Sequence, residues 1–246
     1  GCCQGATGSC TTGCGTTGSR VCSGSCVWGS CTPPGETCNG ADDDCDGSCD
    51  NGLGCCRGAT DTCSTSCGTT GTRSCGSSCS WSACTPPGET CNGTDDNCDG
   101  TADNTSGCRV PVYRYLCSND HFYYNGTSTP SGCVSEGLVW YNYATAVSGT
   151  SFSTTPLYRL YSGSVNDHFY TISASERDYA VSIGYIWEGD IGSCSPSPVP
   201  GQTTDLYRLV HPAGDHFYSI DAGERDYAVT LGYIYEGVAC YVWTSA

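Results

Sequence analysis

LYRLYSGSVNDHFYTISASERDYAVSIGYIWEG at 157–189 is the stretch on which the fold turns. Leu157, Arg159 and Tyr161 alternate with Tyr158 and Leu160, the period-two pattern of a strand with one face inward. A turn follows, then a second strand entering at His168, Phe169 and Tyr170. Ser173 with Glu176 three residues on is a capping-box start, which predicts a short helix, and after the next glycine a third strand covers 185–187. The grammar recurs at 206–237 as LYRLVHPAGDHFYSIDAGERDYAVTLGYIYEG, with Asp221 and Glu224 opening the helix. A shorter version, VYRYLCSNDHFYYNG from 112 with GLVWYNY from 137, lacks the helix and carries Cys133 instead. Three such units, 110–156, 157–205 and 206–246, predict a threefold β domain with short helices, β-trefoil-like in its closure; a small propeller or open stack is the alternative. Cys117 is expected to bridge Cys133, and Cys194 to bridge Cys240. CSPSPVPGQTTD at 194–205 reads as an extended connector between units two and three.

A different composition precedes this domain. Twenty-four cysteines in 246 residues, with no C-x-x-C spacing, point to disulfides and an oxidising, extracellular setting, against a zinc-binding cytosolic chain. A shift of 53 residues lays 2–54 over 55–107 without a gap, CTPPGETCNG recurring unchanged at 31–40 and 84–93. Two tandem modules, 1–54 and 55–109, follow. Neither has a periodic apolar run, so bridges and bound ions must replace an oily core. Eight cysteine classes occur once per module and could close four bridges in each; Cys2, Cys55, Cys108 and Cys49, whose counterpart is Ala102, are left over, either to form two bridges at the module joints or to leave one for a neighbouring molecule, and spacing does not choose among the connectivities.

Each module ends in an acidic loop, TCNGADDDCDGSCDNG at 37–52 and TCNGTDDNCDGTADNT at 90–105. Asp42, Asp44, Asp46 and Gly47, like Asp95, Asn97, Asp99 and Gly100, have the alternation of a calcium loop, in which every second side chain turns onto one ion. Ser48 and Thr101 take the seventh position, Asp50 and Asp103 the ninth. The twelfth is Leu53 or Ser106, so an EF-hand is excluded, and Glu36 and Glu89 are the candidates for the missing ligand. One calcium per module is the expectation, against a plain solvated Asp-rich turn.

These modules resemble the cysteine-rich metal-binding-motif repeats of secreted and surface proteins of myxobacteria and related bacteria, in which C-N-G-x-D-D-[DN]-C-D-G recurs. That resemblance covers about 1–109 and implies extracellular metal binding without catalysis. The L-Y-R-L, D-H-F-Y and G-Y-[IV]-x-E-G pattern over about 112–243 resembles a bacterial repeat family of uncharacterised function that accompanies secreted enzymes and surface proteins.

The triplicated Asp-His (Asp120/His121, Asp167/His168, Asp215/His216) invites a catalytic reading, but neighbours on a strand face opposite ways, so no Asp orients its own His. Structural hydrogen bonding is the first expectation. Three ligand pockets that use these residues with Tyr123, Tyr170 and Tyr218 are the second. Trp140, Trp187, Tyr235 and Trp243 are further candidates for stacking on sugars, against ordinary packing. Arg159 with Glu188 and Arg208 with Glu236 read as cross-strand ion pairs, with Tyr141 in the place of the acid in unit one.

A net charge of −16, with nine arginines and no lysine, makes nucleic acid and anionic membranes poor partners and divalent cations good ones. No stretch approaches the roughly 18 apolar residues of a membrane span, and no leader precedes Gly1, so a mature exported form is expected. Ser and Thr at 5–30 and 58–83 are candidates for O-linked sugars, and Asn92, Asn104 and Asn125 stand in N-x-[ST] triplets. The expectation is a secreted, non-enzymatic bacterial surface protein that self-associates into a fibre or coat; the alternative is a lectin-like module that binds glycans through its C-terminal domain.

Overall fold

The structure, a computed structural model, describes residues 1–126 and 128–246. The triplet at Asn125 ends on Thr127, which lies outside the described residues. Two compact units divide the chain, Gly1–Gly88 and Glu89–Ala246, so the second acidic loop is built into the C-terminal unit.

In the first unit, β1 (Thr7–Thr11) pairs antiparallel with β2 (Thr17–Val21), and β3 (Thr60–Ser64) pairs in the same register with β4 (Thr70–Ser74). Arg20 lies 4.8 Å over the Trp28 ring and Arg73 lies 4.7 Å over Trp81. Gly18 and Gly71 are required by close approach, since a Cβ would sit 2.4 Å from the Thr32 carbonyl oxygen or 2.3 Å from that of Thr85. The interior is sulfur: Cys55, Cys75 and Cys79 cluster with Cys38, Ala59 and Trp81.

The bridges correct the expected pairing. Cys2–Cys22, Cys10–Cys31 and Cys14–Cys45 close within the first module, and Cys55–Cys75 and Cys63–Cys84 within the second. Cys2 and Cys55 are therefore not spare. The joint is made by Cys38–Cys79 and Cys49–Cys56, so cysteines of the once-per-module classes bond across it and do not close four bridges inside each module. Cys91 binds Cys108, and Cys67 and Cys98 are also disulfide-bonded. Among the described residues only Cys3 and Cys26 are free.

The second unit is mostly β. Its strands are β5 (Arg109–Cys117), β6 (Asp120–Tyr124) and β7 (Cys133–Tyr143); then β8 (Thr155–Ser162), β9 (Asp167–Thr171), α1 (Ala174–Ser182) and β10 (Ile186–Cys194); then β11 (Thr203–Val210), β12 (His216–Ser219), α2 (Ala222–Thr230) and β13 (Ile234–Trp243). Each repeat is a three-stranded antiparallel sheet with its opening strand in the middle, so its second and third strands do not pair with one another. The opening arginine marks the shared register: Arg114 faces Tyr123 and Gly137, Arg159 faces Tyr170 and Gly189, and Arg208 faces Tyr218 and Gly237. A bulge falls beside each of these glycines, which take φ of 99°, 107° and 121°, so the Glu-Gly pair is a backbone device as well as a charge. Unit one is thereby realigned: its acid is Glu136, and Tyr141 lies further along β7.

The last strands join the repeats, Ser193 pairing with Tyr143 and Trp243 with Tyr141. Val112, Leu157 and Leu206 supply the core with Trp140, Ile191 and the Cys194–Cys240 bridge. At its centre Tyr123, Tyr170 and Tyr218 form a cyclic trio. Tyr123 Oη donates to the Tyr218 carbonyl (2.7 Å), Tyr218 Oη to Tyr170 (2.7 Å) and Tyr170 Oη to Tyr123 (2.9 Å). Burial drives all three phenols above their ordinary range. Cys117–Cys133 closes the short unit as expected. Among the described residues no helix is long and apolar enough to cross a membrane.

Candidate functional site

The acidic loops are curled by their own backbone. Asp42 Oδ1 accepts the Asp46 N–H (3.1 Å) and its Oδ2 that of Gly47 (2.9 Å); Asp44 and Asp46 accept from the residues two further on, Asp46 and Ser48. Asp95, Asn97 and Asp99 repeat this toward Asp99, Gly100 and Thr101. Glu36 reaches in from outside the loop: Oε1 accepts the N–H groups of Asp43 and Asp44 at 2.9 Å, and Oε2 that of Asp50 at 2.7 Å. Glu89 does the same toward Asn97 and Asp103. Glu36, Asp42 and Asp44 thus offer oxygens within 4.8 Å of one another. Burial, then the charges of Asp46, Glu36 and Asp42, raises the Asp44 carboxyl above its ordinary value.

Asp50 and Asp103 are used differently. Asp50 is 1% exposed and takes the N–H groups of Asn39 (3.0 Å), Gly40 (3.0 Å) and Arg57 (2.6 Å), binding the first loop to the second module. Asp103 takes those of Asn92 and Gly93 and the Tyr143 hydroxyl (2.8 Å). The ninth-position acids are therefore fasteners. The Arg57 N–H, then those of Asn39 and Gly40, holds Asp50 below its ordinary value of 3.8. A carboxyl lowered on folding adds stability above that value and loses it as pH falls through the lowered one. The Arg57 amide should accordingly exchange faster below pH 3.8 than the Gly71 amide of the hairpin, measured by acid-quenched hydrogen exchange; equal acceleration would contradict the fastener.

In the C-terminal unit each aspartate of the Asp-His pairs grips the histidine of another repeat. His168 donates its N–H (2.9 Å) and Nδ1–H (2.5 Å) to Asp120; His216 donates to Asp167 at 2.7 and 2.7 Å, and His121 to Asp215 at 2.9 and 2.7 Å. Tyr185 and Tyr233 add hydroxyl bonds to Asp167 and Asp215. Burial alone would raise Asp215, but the His121 bond and charge outweigh it and leave it lowered. These pairs close the ring, which is the structural alternative foreseen from the sequence. Tyr123, Tyr170 and Tyr218 are buried in the central core with Trp140, and Trp243 is buried in a second cluster with Tyr143 and Phe152, so none of them is within reach of a ligand.

An open surface lies beside His216 and beside His121. In two places a helix glutamate crosses to the arginine of the next repeat. Glu176 takes Arg208 through both Nη atoms at 3.0 Å, and Glu224 takes Arg114 at 3.1 and 2.8 Å. Depressions of about 190 and 270 Å³ border these pairs, floored by Phe169 and Phe217. The capping boxes are thus half used: Ser173 and Asp221 cap as expected, while the glutamates leave for the arginines. Burial disfavours Glu176 and Glu224 as anions, yet the arginine bonds keep both below their ordinary value.

The third place differs because unit one has no helix among its described residues. Arg159 keeps its Nε contact to Glu188 (2.9 Å) and lies 5.0 Å over Phe122 and 5.9 Å over Tyr124. Among the described residues no carboxylate meets its two Nη atoms. His168 Nε2 stands 3.5 Å from Glu188 at the rim. The missing helix was legible in the sequence, but not which repeat's arginine it would leave open.

A family model described as a domain of unknown function (DUF5648) matches residues 111–243. No curated protein and no solved structure matches the chain.

Proposed function

The chain belongs to the DUF5648 family through residues 111–243, and from that premise we propose a non-enzymatic, secreted binding protein whose C-terminal domain takes carboxylate-bearing glycans at Arg159. The observation that carries this is the unequal filling of three like sockets. Two arginines have both Nη atoms met by a helix carboxylate, and the third, held by Glu188 at Nε alone and set on an aromatic floor, leaves its Nη atoms to a carboxylate from outside. Bidentate arginine–carboxylate bonding gives both energy and geometry, and Phe122 and Tyr124 offer faces for a sugar ring. The domain is trefoil-like in this reading only in closing three like units on one axis.

The test is retention of the intact chain on immobilised polygalacturonate against dextran. Retention on the acidic polymer alone is expected, with Arg159→Ala weakening it roughly 10- to 100-fold, the loss of a charge-assisted pair. Equal retention of the variant, or of the chain on dextran, would contradict the socket.

The same reading gives the acidic loops calcium, held by Glu36, Asp42 and Asp44 in the first and by Glu89, Asp95 and Asn97 in the second. Asp46 and Asp99 complete the hard oxygen set that calcium favours. Crowded like charges support it, since a divalent cation relieves the repulsion that, after burial, raises Asp44. Chelator should increase proteolysis within 31–54 and 84–107, and Asp44→Asn should abolish the first region's response while leaving the second. Unchanged digestion would exclude a calcium role.

Self-association into a fibre or coat is favoured by one observation. Ile183, Ile186 and Trp187 are 51–65% exposed, and the repeat sets Leu231, Ile234 and Tyr235 at the equivalent place. Sedimentation velocity over a concentration series separates assemblies from monomers.

A further inference from the structure

The two free cysteines of the first module have counterparts in the second, and both counterparts are bonded backward. Cys3 corresponds to Cys56, which bridges Cys49; Cys26 corresponds to Cys79, which bridges Cys38. Both acceptors, Cys38 and Cys49, lie in the acidic-loop half of the preceding module. We infer that Cys3, Cys26 and the Gln4 N–H form a preformed docking face for one more module of the same type, placed N-terminally on the same polypeptide and bonded through its own counterparts of Cys38 and Cys49.

Three observations support the face. Cys26 already holds the left-handed backbone of its bonded counterpart, φ 55° against 51° for Cys79. Cys79 is 1% exposed at the joint, whereas Cys26 is exposed. The Arg57 N–H that donates to Asp50 corresponds to the Gln4 N–H, which has no acceptor among the described residues; an upstream aspartate equivalent to Asp50 would supply one. The neighbouring bonds are the same in both copies: Gly5 and Ala6 donate to Cys22 and Cys3 as Gly58 and Ala59 donate to Cys75 and Cys56. The backbone is in place and only the partner differs.

A second copy of this chain cannot fill the role. Its first-module acceptors are taken by its own second module, Cys91 is bonded to Cys108, and Ala102 stands where Cys49 would be. The partner must carry both cysteines and the following aspartate. The covalent step is ordinary oxidation: for each bridge two thiols lose two protons and two electrons, and an external disulfide, small-molecule or protein, is reduced to two thiols. Connection in cis follows from Cys49–Cys56, a bridge of sequence separation 7 that spans a joint without a linker.

The test extends the full chain by one module, a copy of residues 1–53 fused directly before Gly1, produced in an oxidising compartment and mapped by non-reducing peptide mass spectrometry after alkylation. In the unextended chain, alkylation is expected at Cys3 and Cys26. In the extended chain, labelling at both should be lost, each bridged to the added module, with new labelling at the added module's own counterparts of Cys3 and Cys26. Serine at the added module's counterparts of Cys38 and Cys49 should restore labelling at Cys3 and Cys26. The added module's counterpart of Cys10–Cys31, intact in both forms, reports that it has folded. Continued labelling of Cys3 and Cys26 beside that intact bridge, or a Cys3–Cys26 bridge in the extended chain, would overturn the inference.

Discussion

Reduction with excess dithiothreitol is expected to unfold the first unit while leaving the threefold core standing. The first unit has two hairpins of five-residue strands, and its buried apolar set is cysteine with a little alanine and tryptophan. Hairpins of that size do not persist alone. Bridges such as Cys10–Cys31 and Cys63–Cys84, each closing a sequence separation of 21, contribute about 3 kcal/mol apiece in the chain-entropy account, so their joint loss exceeds any margin such a unit holds. The C-terminal core is different. Val112, Leu157, Leu206 and Leu209 are fully buried with Trp140 and Trp243, and each such side chain contributes about 1.5–3 kcal/mol. Hydrogen exchange read by mass spectrometry should lose protection over 7–21 and 60–74 and keep it over 112–116 and 157–161. Persistent protection of the hairpins in fully reduced protein would show that something other than sulfur holds them.

The second large effect lies in the ring of aspartates. Asp167→Ala is expected to lower the unfolding free energy of the C-terminal unit by about 3–5 kcal/mol, the cost of losing three hydrogen bonds to one buried acceptor and leaving their donors unpaired. Asp167 is fully buried and takes the N–H and Nδ1–H of His216 and the hydroxyl of Tyr185. Its removal strands three donors at a seam between repeats. Asp167→Asn keeps an acceptor and should cost less than the alanine. Urea unfolding followed by tryptophan fluorescence measures both, and an alanine variant within about 1 kcal/mol of the parent would mean the seam is held by packing instead. Asp120 and Asp215 occupy the same seam elsewhere in the ring, so their alanine variants should rank with it.

Much of this architecture is legible residue by residue. The two C-terminal bridges and the Arg159–Glu188 and Arg208–Glu236 pairs follow from spacing, because each is a local or directly repeated feature. The short unit was misaligned where its helix is missing. The Glu136-Gly137 dipeptide was the available signal, and the bulge at Gly137 gives the reason that dipeptide recurs. The capping boxes predicted both helices correctly, but Glu176 and Glu224 had a stronger partner in arginines 32 and 110 residues away in sequence.

By itself the sequence determined what each module is made of: sulfur and carboxylates in front, alternating aromatic strands behind, an oxidising setting for the bridges. Only the tertiary structure decided who meets whom. An Asp and His adjacent on a strand must point apart, so each finds its partner in a different repeat. A cysteine that looks internal to one module bonds the module before it. Both outcomes depend on how repeats are set against one another, and the Asp-His pairs and most of the cysteines, recurring from copy to copy, do not encode which neighbour they will face.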